Sequence, residues 1–578
     1  MQLYERPRNQ NPWRKYITQT SASLSLEPAS LVSFVSSPYS SSSFLFHPCT
    51  HTLAMEEVNK HTAALSAEAA ALERMGVKQE LHRNFSKLSM LGLAFAILNS
   101  WTALSTSMNL ALPSGGPSAV VWGLMVAGVC NLCLAASLAE FLSAYPTAGG
   151  QYHWASVISW PSYARSIGFV TGWINVGAWV CLTATGGLLG STLVLNIISL
   201  MDETYESKAW HQFLIYVAFT LASFLINAFS TRLLPYFTKA AFLWSLAGFV
   251  IISITVLACA SPNYQSGSFV YGTVINEVGW PDGLAWMLGL LQGAFALTGF
   301  DGTIHMIEEI PNPTIEGPKI MLYSIGIGMF TGFVFLSCLM FVITDIDAVN
   351  SASAGPLLTI IYQATNSKAG AVCLLMFPLV CMLFTSTALM TTSSRMSYAF
   401  ARDRGLPFSS VFARVHTGLD VPLNALLWTT GWVVVFGLVF LGSSSAFNAI
   451  VAASVVGLGV TYAIPPAIHC LRGRNMLPET RAFKLGKVSG WTANIVGILW
   501  TVLTTVLFVF PPENPVTGNN MNYSIVAFGV VLVIAGLQWI FDGRKNYVGP
   551  QAESHTLTDQ EIASSSEHDN SVPEGKAE

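Results

Sequence analysis

Twelve runs of apolar residues, each long enough to cross a bilayer as a helix, constrain this chain more than any other feature. A helix rising about 1.5 Å per residue needs about 20 residues to span a hydrocarbon core. Runs of that kind lie at about 88–112, 119–144, 167–199, 212–230, 235–260, 284–307, 320–343, 369–394, 423–441, 446–471, 490–511 and 523–541. Spanning barrels use short alternating strands, and these runs are too long and too uniformly apolar for that. The fold class is therefore an all-α polytopic membrane protein with twelve transmembrane helices and the lipid bilayer as its main surroundings. Composition agrees, since only 10% of residues are charged and 52% are hydrophobic. A soluble domain carries about 25% charge, so a soluble enzyme, a fibre and a disordered protein are excluded. A net charge of −4 gives no reason to expect a nucleic-acid partner. Eight of the nine cysteines lie inside apolar runs, which suits packing rather than a disulfide framework. Cys130-Asn-Leu-Cys133 has metal-like spacing without a second ligand pair, so no metal is expected.

Orientation follows from basic residues beside the spans. With a cytoplasmic N-terminus, nineteen Lys and Arg fall on the inner side, and the outer loops hold two, Lys208 and Lys368. An even number of spans then places both termini in the cytoplasm. Three regions are expected: a polar, disordered 1–87, a transporter-like bundle at 88–541, and an acidic, Ser-rich tail at 542–578 open to regulatory machinery. Residues 1–54 contain eleven serines, and Met55 opens a polar segment of the kind that begins a cytoplasmic N-terminus. Met55 is the expected initiator.

No phosphate-binding loop, zinc-binding His-Glu-x-x-His or Gly-x-Ser-x-Gly elbow occurs, so no enzyme chemistry is expected and transport would be secondary or passive. The informative residues are polar or helix-weakening ones at depth. A carboxylate at the centre of a lone helix costs about 2.5–3.5 kcal/mol on insertion scales. Asp301 stands in Gln292-Gly-Ala-Phe-Ala-Leu-Thr-Gly-Phe-Asp-Gly-Thr303, flanked by Gly299 and Gly302. A broken helix at mid-depth offers backbone N–H and C=O groups to a substrate. The first run has a matching weak window at Asn99-Ser-Trp-Thr-Ala-Leu-Ser-Thr-Ser-Met-Asn109. Interruptions in the first and sixth spans fit two five-helix halves of inverted orientation plus two extra helices. Glu140, Glu308 and Glu309, at inner ends of spans, are candidates to pair with Arg395 or Arg402 and close the cytoplasmic side. His305, one turn after Asp301, could relay protons or simply pack, and Lys239 could couple or snorkel.

Three stretches resemble one known group: Glu140 through Trp154 with Pro-x-x-Gly-Gly-x-Tyr-x-Trp, Gly299 through Glu309 continuing to Pro318, and Ser394 through Pro407. Together they resemble the amino acid–polyamine–organocation superfamily, and more closely the fungal amino acid/choline transporter family with its GABA and choline permeases. The resemblance implies alternating access, usually with the proton as coupling ion and no other cofactor. It implies substrate contacts at Ser100, Trp101, Thr102 and Ala103 in the first span, and at Phe295, Thr298, Gly299 and Asp301 in the sixth. Ser-Trp-Thr-Ala replaces the Gly-rich break common in the superfamily. Trp101 and Phe295, with Trp173 or Trp179, could cage an ammonium group, with Asp301 as counter-charge. The expected function is import of a small amine-bearing solute such as choline, GABA or an amino acid across the plasma membrane. The alternative is a substrate-sensing receptor or passive channel on the same fold.

Overall fold

The computed structural model describes residues 83–518 and 520–549. Residues 1–82 and 550–578, with the expected initiator Met55 and most of the acidic tail, lie outside the described residues. Among the described residues the structure is helical, with no strands and one isolated bridge between His416 and Val421.

Eleven helical segments are long and apolar enough to cross a membrane. They account for every expected span but the sixth. That one is missing from the long helices because it is broken: α8 (Asp282–Ala296) stops, residues 297–301 run unwound, and α9 (Gly302–His305) resumes as a single turn. The first span is interrupted too, with α1 (Lys87–Leu98) and α2 (Ser100–Thr106) meeting at Asn99, whose φ of 42° is left-handed. Asparagine tolerates that region better than most residues. The remaining spans are α3 (Gly116–Ala144), α5 (Ala164–Met201), α6 (Ala209–Phe229), α7 (Leu234–Ala260), α10 (Pro313–Val342), α11 (Lys368–Arg402), α12 (Leu423–Gly442), α13 (Ser444–Leu471), α14 (Lys487–Leu507) and α15 (Ser524–Gln538). A short α4 (Gln151–Ile158) links the second and third spans.

In lipid, unwound backbone must be satisfied by protein. The amide of Asn131 donates to the Leu297 carbonyl at 3.2 Å, and the Gly299 N–H donates to the Tyr462 hydroxyl at 3.2 Å. Gly299 has φ +96°, and a Cβ there would lie 2.9 Å from Ile97 Cγ2. The break therefore needs glycine twice, for its backbone angle and for its approach to α1.

The packed bundle extends past the boundaries expected from hydropathy. Phe85 is buried and its N–H donates to the Glu309 carbonyl. At the other end Tyr547 is buried against Phe169 and Phe400, with the Val548 N–H on the Asp403 carbonyl. Residues 542–549 thus belong to the ordered bundle rather than to the tail, because an aromatic anchor follows the last apolar run.

Candidate functional site

Asp301 is fully buried at the unwound stretch, and three donors and an imidazole nitrogen converge on it. The Tyr462 hydroxyl of α13 donates to Oδ1. Oδ2 receives the Gln151 amide at 2.8 Å and the Trp179 indole N–H at 3.2 Å, and it lies 3.2 Å from His305 Nε2. Asn175 in turn donates to the Gln151 carbonyl oxygen at 2.9 Å, which orients that amide. His305 Nδ1 lies 2.8 Å from the Ala148 carbonyl. The third, sixth and tenth spans and α4 are thereby tied to one carboxylate.

Local sequence explains how α4 gets so close. Gly150 has φ +55°, and a Cβ there would sit 2.6 Å from Ile304 Cγ2. The Gly149-Gly150 pair lets the 146–150 loop lie against α9, placing Ala148 beside both His305 and Glu308.

The cavity is next to this network but does not include it. A space of about 30 Å³ lies where the two breaks meet, walled by Asn99, Ala103, Thr185, Phe295, Thr298 and Met382 among others. Of the residues implied by resemblance, Ala103, Phe295 and Thr298 stand on its wall. Gly299 and Asp301 lie in the unwound stretch behind it. Ser100 faces α10, where a Cβ on Gly328 would come within 2.7 Å of its hydroxyl. Thr102 is buried and its carbonyl accepts the hydroxyls of Ser105 and Thr106. Trp101 faces outward from the site, donating to Ser245 at 2.9 Å and packing edge-on to Phe335. Of the aromatics considered for an ammonium cage, Phe295 alone stands on the cavity wall, while Trp101 packs into the core, Trp173 meets Phe400 and Trp179 donates to Asp301. Asp301 is surrounded by the protein's own polar groups and is not on that wall.

The charged residues at span ends form three buried clusters. Arg402 holds Glu308 with two N–H bonds of 3.0 and 3.1 Å, and the Ala148 N–H adds a third at 2.9 Å. Arg395 Nε donates to Glu309 at 3.2 Å. Both pairs were expected. Glu140 does not pair with either arginine; it holds Arg474 and Arg481 and accepts the Leu485 N–H, tying the α13–α14 loop to α3. Burial pushes the Glu308 carboxyl up, but the two-pronged Arg402 contact outweighs it and the net displacement is downward. For Glu309 burial wins over its single contact with Arg395, and the carboxyl is raised. Lys239 lies over the exposed ring of Tyr236 at 5.6 Å, a placement that suits snorkelling.

A family model described as amino acid permease matches residues 88–533. The chain belongs to the amino acid permease family. The choline transporter of Saccharomyces cerevisiae is 34% identical over 473 residues, covering 81% of this chain and 83% of that protein. Amino-acid permease BAT1 of Arabidopsis thaliana is 30% identical, covering 83% and 95%. The swainsonine transporter swnT of Arthroderma benhamiae is 26% identical, covering 82% and 93%. The permease is thus a membrane transporter of the amino acid–polyamine–organocation superfamily.

Gln151, Asn175 and Tyr462 were not singled out from the sequence. Each is a neutral polar residue in or beside a span, a signal shared by many packing residues. Gln151 had one further clue, its place directly after the Gly-Gly pair.

Proposed function

We propose that the permease imports a small amine-bearing solute, such as choline, GABA or an amino acid, by alternating access driven by protons. The observation that carries this reading is the cavity at the meeting of the two broken spans. Its wall has no charged side chain. Phe295 and Met382 offer a π-face and a polarisable sulfur to a methylated ammonium, while Asn99, Thr185 and Thr298 offer an amide and hydroxyls. About 30 Å³ is close to the room one water takes. Admission of a solute therefore requires the two breaks to separate. The buried pairs Glu308–Arg402 and Glu309–Arg395 close the end that the charge rule assigns to the cytoplasm. The plasma membrane is the proposed location.

The test is uptake by the full-length permease in proteoliposomes, with radiolabelled choline, GABA and neutral amino acids, with and without an inward proton gradient. Accumulation of one probe above the no-gradient level is expected. Uptake of none, or uptake indifferent to pH and membrane potential, overturns the reading.

A further inference from the structure

Asp301 has a partner whose hydrogen-bond logic determines where a proton sits. A carbonyl oxygen only accepts, so His305 Nδ1, 2.8 Å from the Ala148 carbonyl, carries a hydrogen. If the imidazole were neutral, Nε2 would present a bare lone pair to Asp301 Oδ2 at 3.2 Å. Trp179 and Gln151 already donate to that oxygen, which disfavours a proton on Oδ2 itself. The contact is favourable when Nε2 also carries a hydrogen, making an imidazolium beside a carboxylate.

We propose that His305 is the group that carries the transported proton, and that its ionisation sets the cytoplasmic closure through Ala148. This rests on the proton-driven reading above and names its site. Nε2 takes up one proton from the outer side and loses one to the inner side. Ala148 is the mechanical link. Its carbonyl accepts from His305, and its N–H donates to Glu308, which is the partner of Arg402. Loss of the Nε2 proton turns an attraction to Asp301 into a lone-pair repulsion. The imidazole must then move, and Ala148 and Glu308 move with it.

No other charged side chain bonds the pair; the titratable groups around it are Tyr462 of α13 and, beside Glu308 and Arg402, the buried His153 of α4. α13 presents Tyr462, and α4 presents Gln151. α1, α5 and α11 present Ile97, Trp179 with Asn175, and Thr392, none of them charged. The nearest charges on the same strand of chain, Glu308 and Glu309, are neutralised by Arg402 and Arg395. A pair so enclosed responds to a proton more than to the bulk field. The same enclosure explains why the cavity wall lacks a carboxylate: Asp301 serves the proton and not the amine.

Two measurements on the full-length permease test this. In proteoliposomes with choline and GABA as probes, the ratio of gradient-driven uptake to exchange is expected to fall roughly tenfold in His305→Gln. Asp301→Asn is expected to do the same and provides the readout if His305→Gln does not fold. The second measurement needs no substrate. Trp179 lies edge-on to His305 at 5.7 Å, and an imidazolium quenches a neighbouring indole. The part of the emission lost in Trp179→Phe should therefore show quenching at acid pH that is absent in His305→Gln. Gradient-driven uptake that persists in both charge variants, or a wild-type Trp179 emission that does not respond to pH, overturns the proposal. If neither probe is transported while the Trp179 response is present and depends on His305, the substrate reading fails and the proton site stands.

Discussion

Replacing Arg402 by methionine should open the closure at Glu308 and leave a specific pH signature. The side chains of Arg402 and Glu308 are 18% and 4% exposed, and their two N–H···O contacts are 3.0 and 3.1 Å. Removing one partner of a buried pair costs about 3–5 kcal/mol, mostly because the other charge is stranded. The partial exposure of Arg402 lowers this towards about 2–3 kcal/mol. That is roughly 30- to 150-fold in the population of the closed form. Glu308 would keep only the Ala148 N–H, and burial would then dominate and raise its carboxyl. In the wild type the lowered carboxyl contributes stability above the unfolded value, and that stability is lost as pH falls through the folded value. In Arg402→Met the sign reverses, so protonation relieves the defect on the acid side. Thermal unfolding of the purified permease at several pH values should show a gap between wild type and variant that narrows towards acid. Adding Glu308→Gln to Arg402→Met should restore part of the loss, giving a double-mutant coupling of at least about 1 kcal/mol. A gap independent of pH together with zero coupling would refute the stranded-charge argument.

Four further outcomes follow from the same geometry. Glu140→Gln strands Arg474 and Arg481, each under 10% exposed, and should cost about 3–5 kcal/mol of stability; an unchanged unfolding midpoint contradicts it. Trp101→Phe loses the bond to Ser245 and should cost about 1 kcal/mol with the apparent affinity for choline unchanged, whereas a large rise in KM at unchanged stability would bring the cage back. Burial raises the Asp403 carboxyl from its ordinary 3.8 to about 6, so the folded form holds its proton to higher pH and stability falls as pH rises across that window; Asp403→Asn should abolish this slope, and its persistence in the variant would exclude Asp403 as the cause. Gly150→Ala forces a Cβ towards Ile304 at a left-handed φ and should reduce uptake by displacing Ala148 from His305, which normal uptake with normal stability would contradict.

The membrane fold was legible because lipid thickness imposes a length that can be counted along the chain. The sixth break was legible for a related reason: glycines on both sides of a carboxylate are conspicuous in an apolar run. Ion pairs were half legible. Opposite charges at inner span ends identify a set of partners, but which pair forms depends on helix packing, and Glu140 went to the α13–α14 loop instead of α11. Tyr462 and Asn175 were illegible because nothing in a single span says which of its polar side chains will face a carboxylate 161 residues away, or an amide 24 residues away.

The reading of Asp301 changed for a physical reason that applies beyond this one residue. A carboxylate at depth must be satisfied in every state of the cycle, including those without substrate, or the cost of burying it falls on the fold. The protein meets that demand with an indole, an amide, a phenol and an imidazole. Groups already committed to that charge leave it little capacity for a solute. The wall of the neighbouring cavity is instead made largely of residues that tolerate being unpaired, such as Phe295, Met382 and Ala103. The most conspicuous charge in the sequence therefore lies beside the cavity without being part of its wall, and that wall is made of residues with little signal of their own.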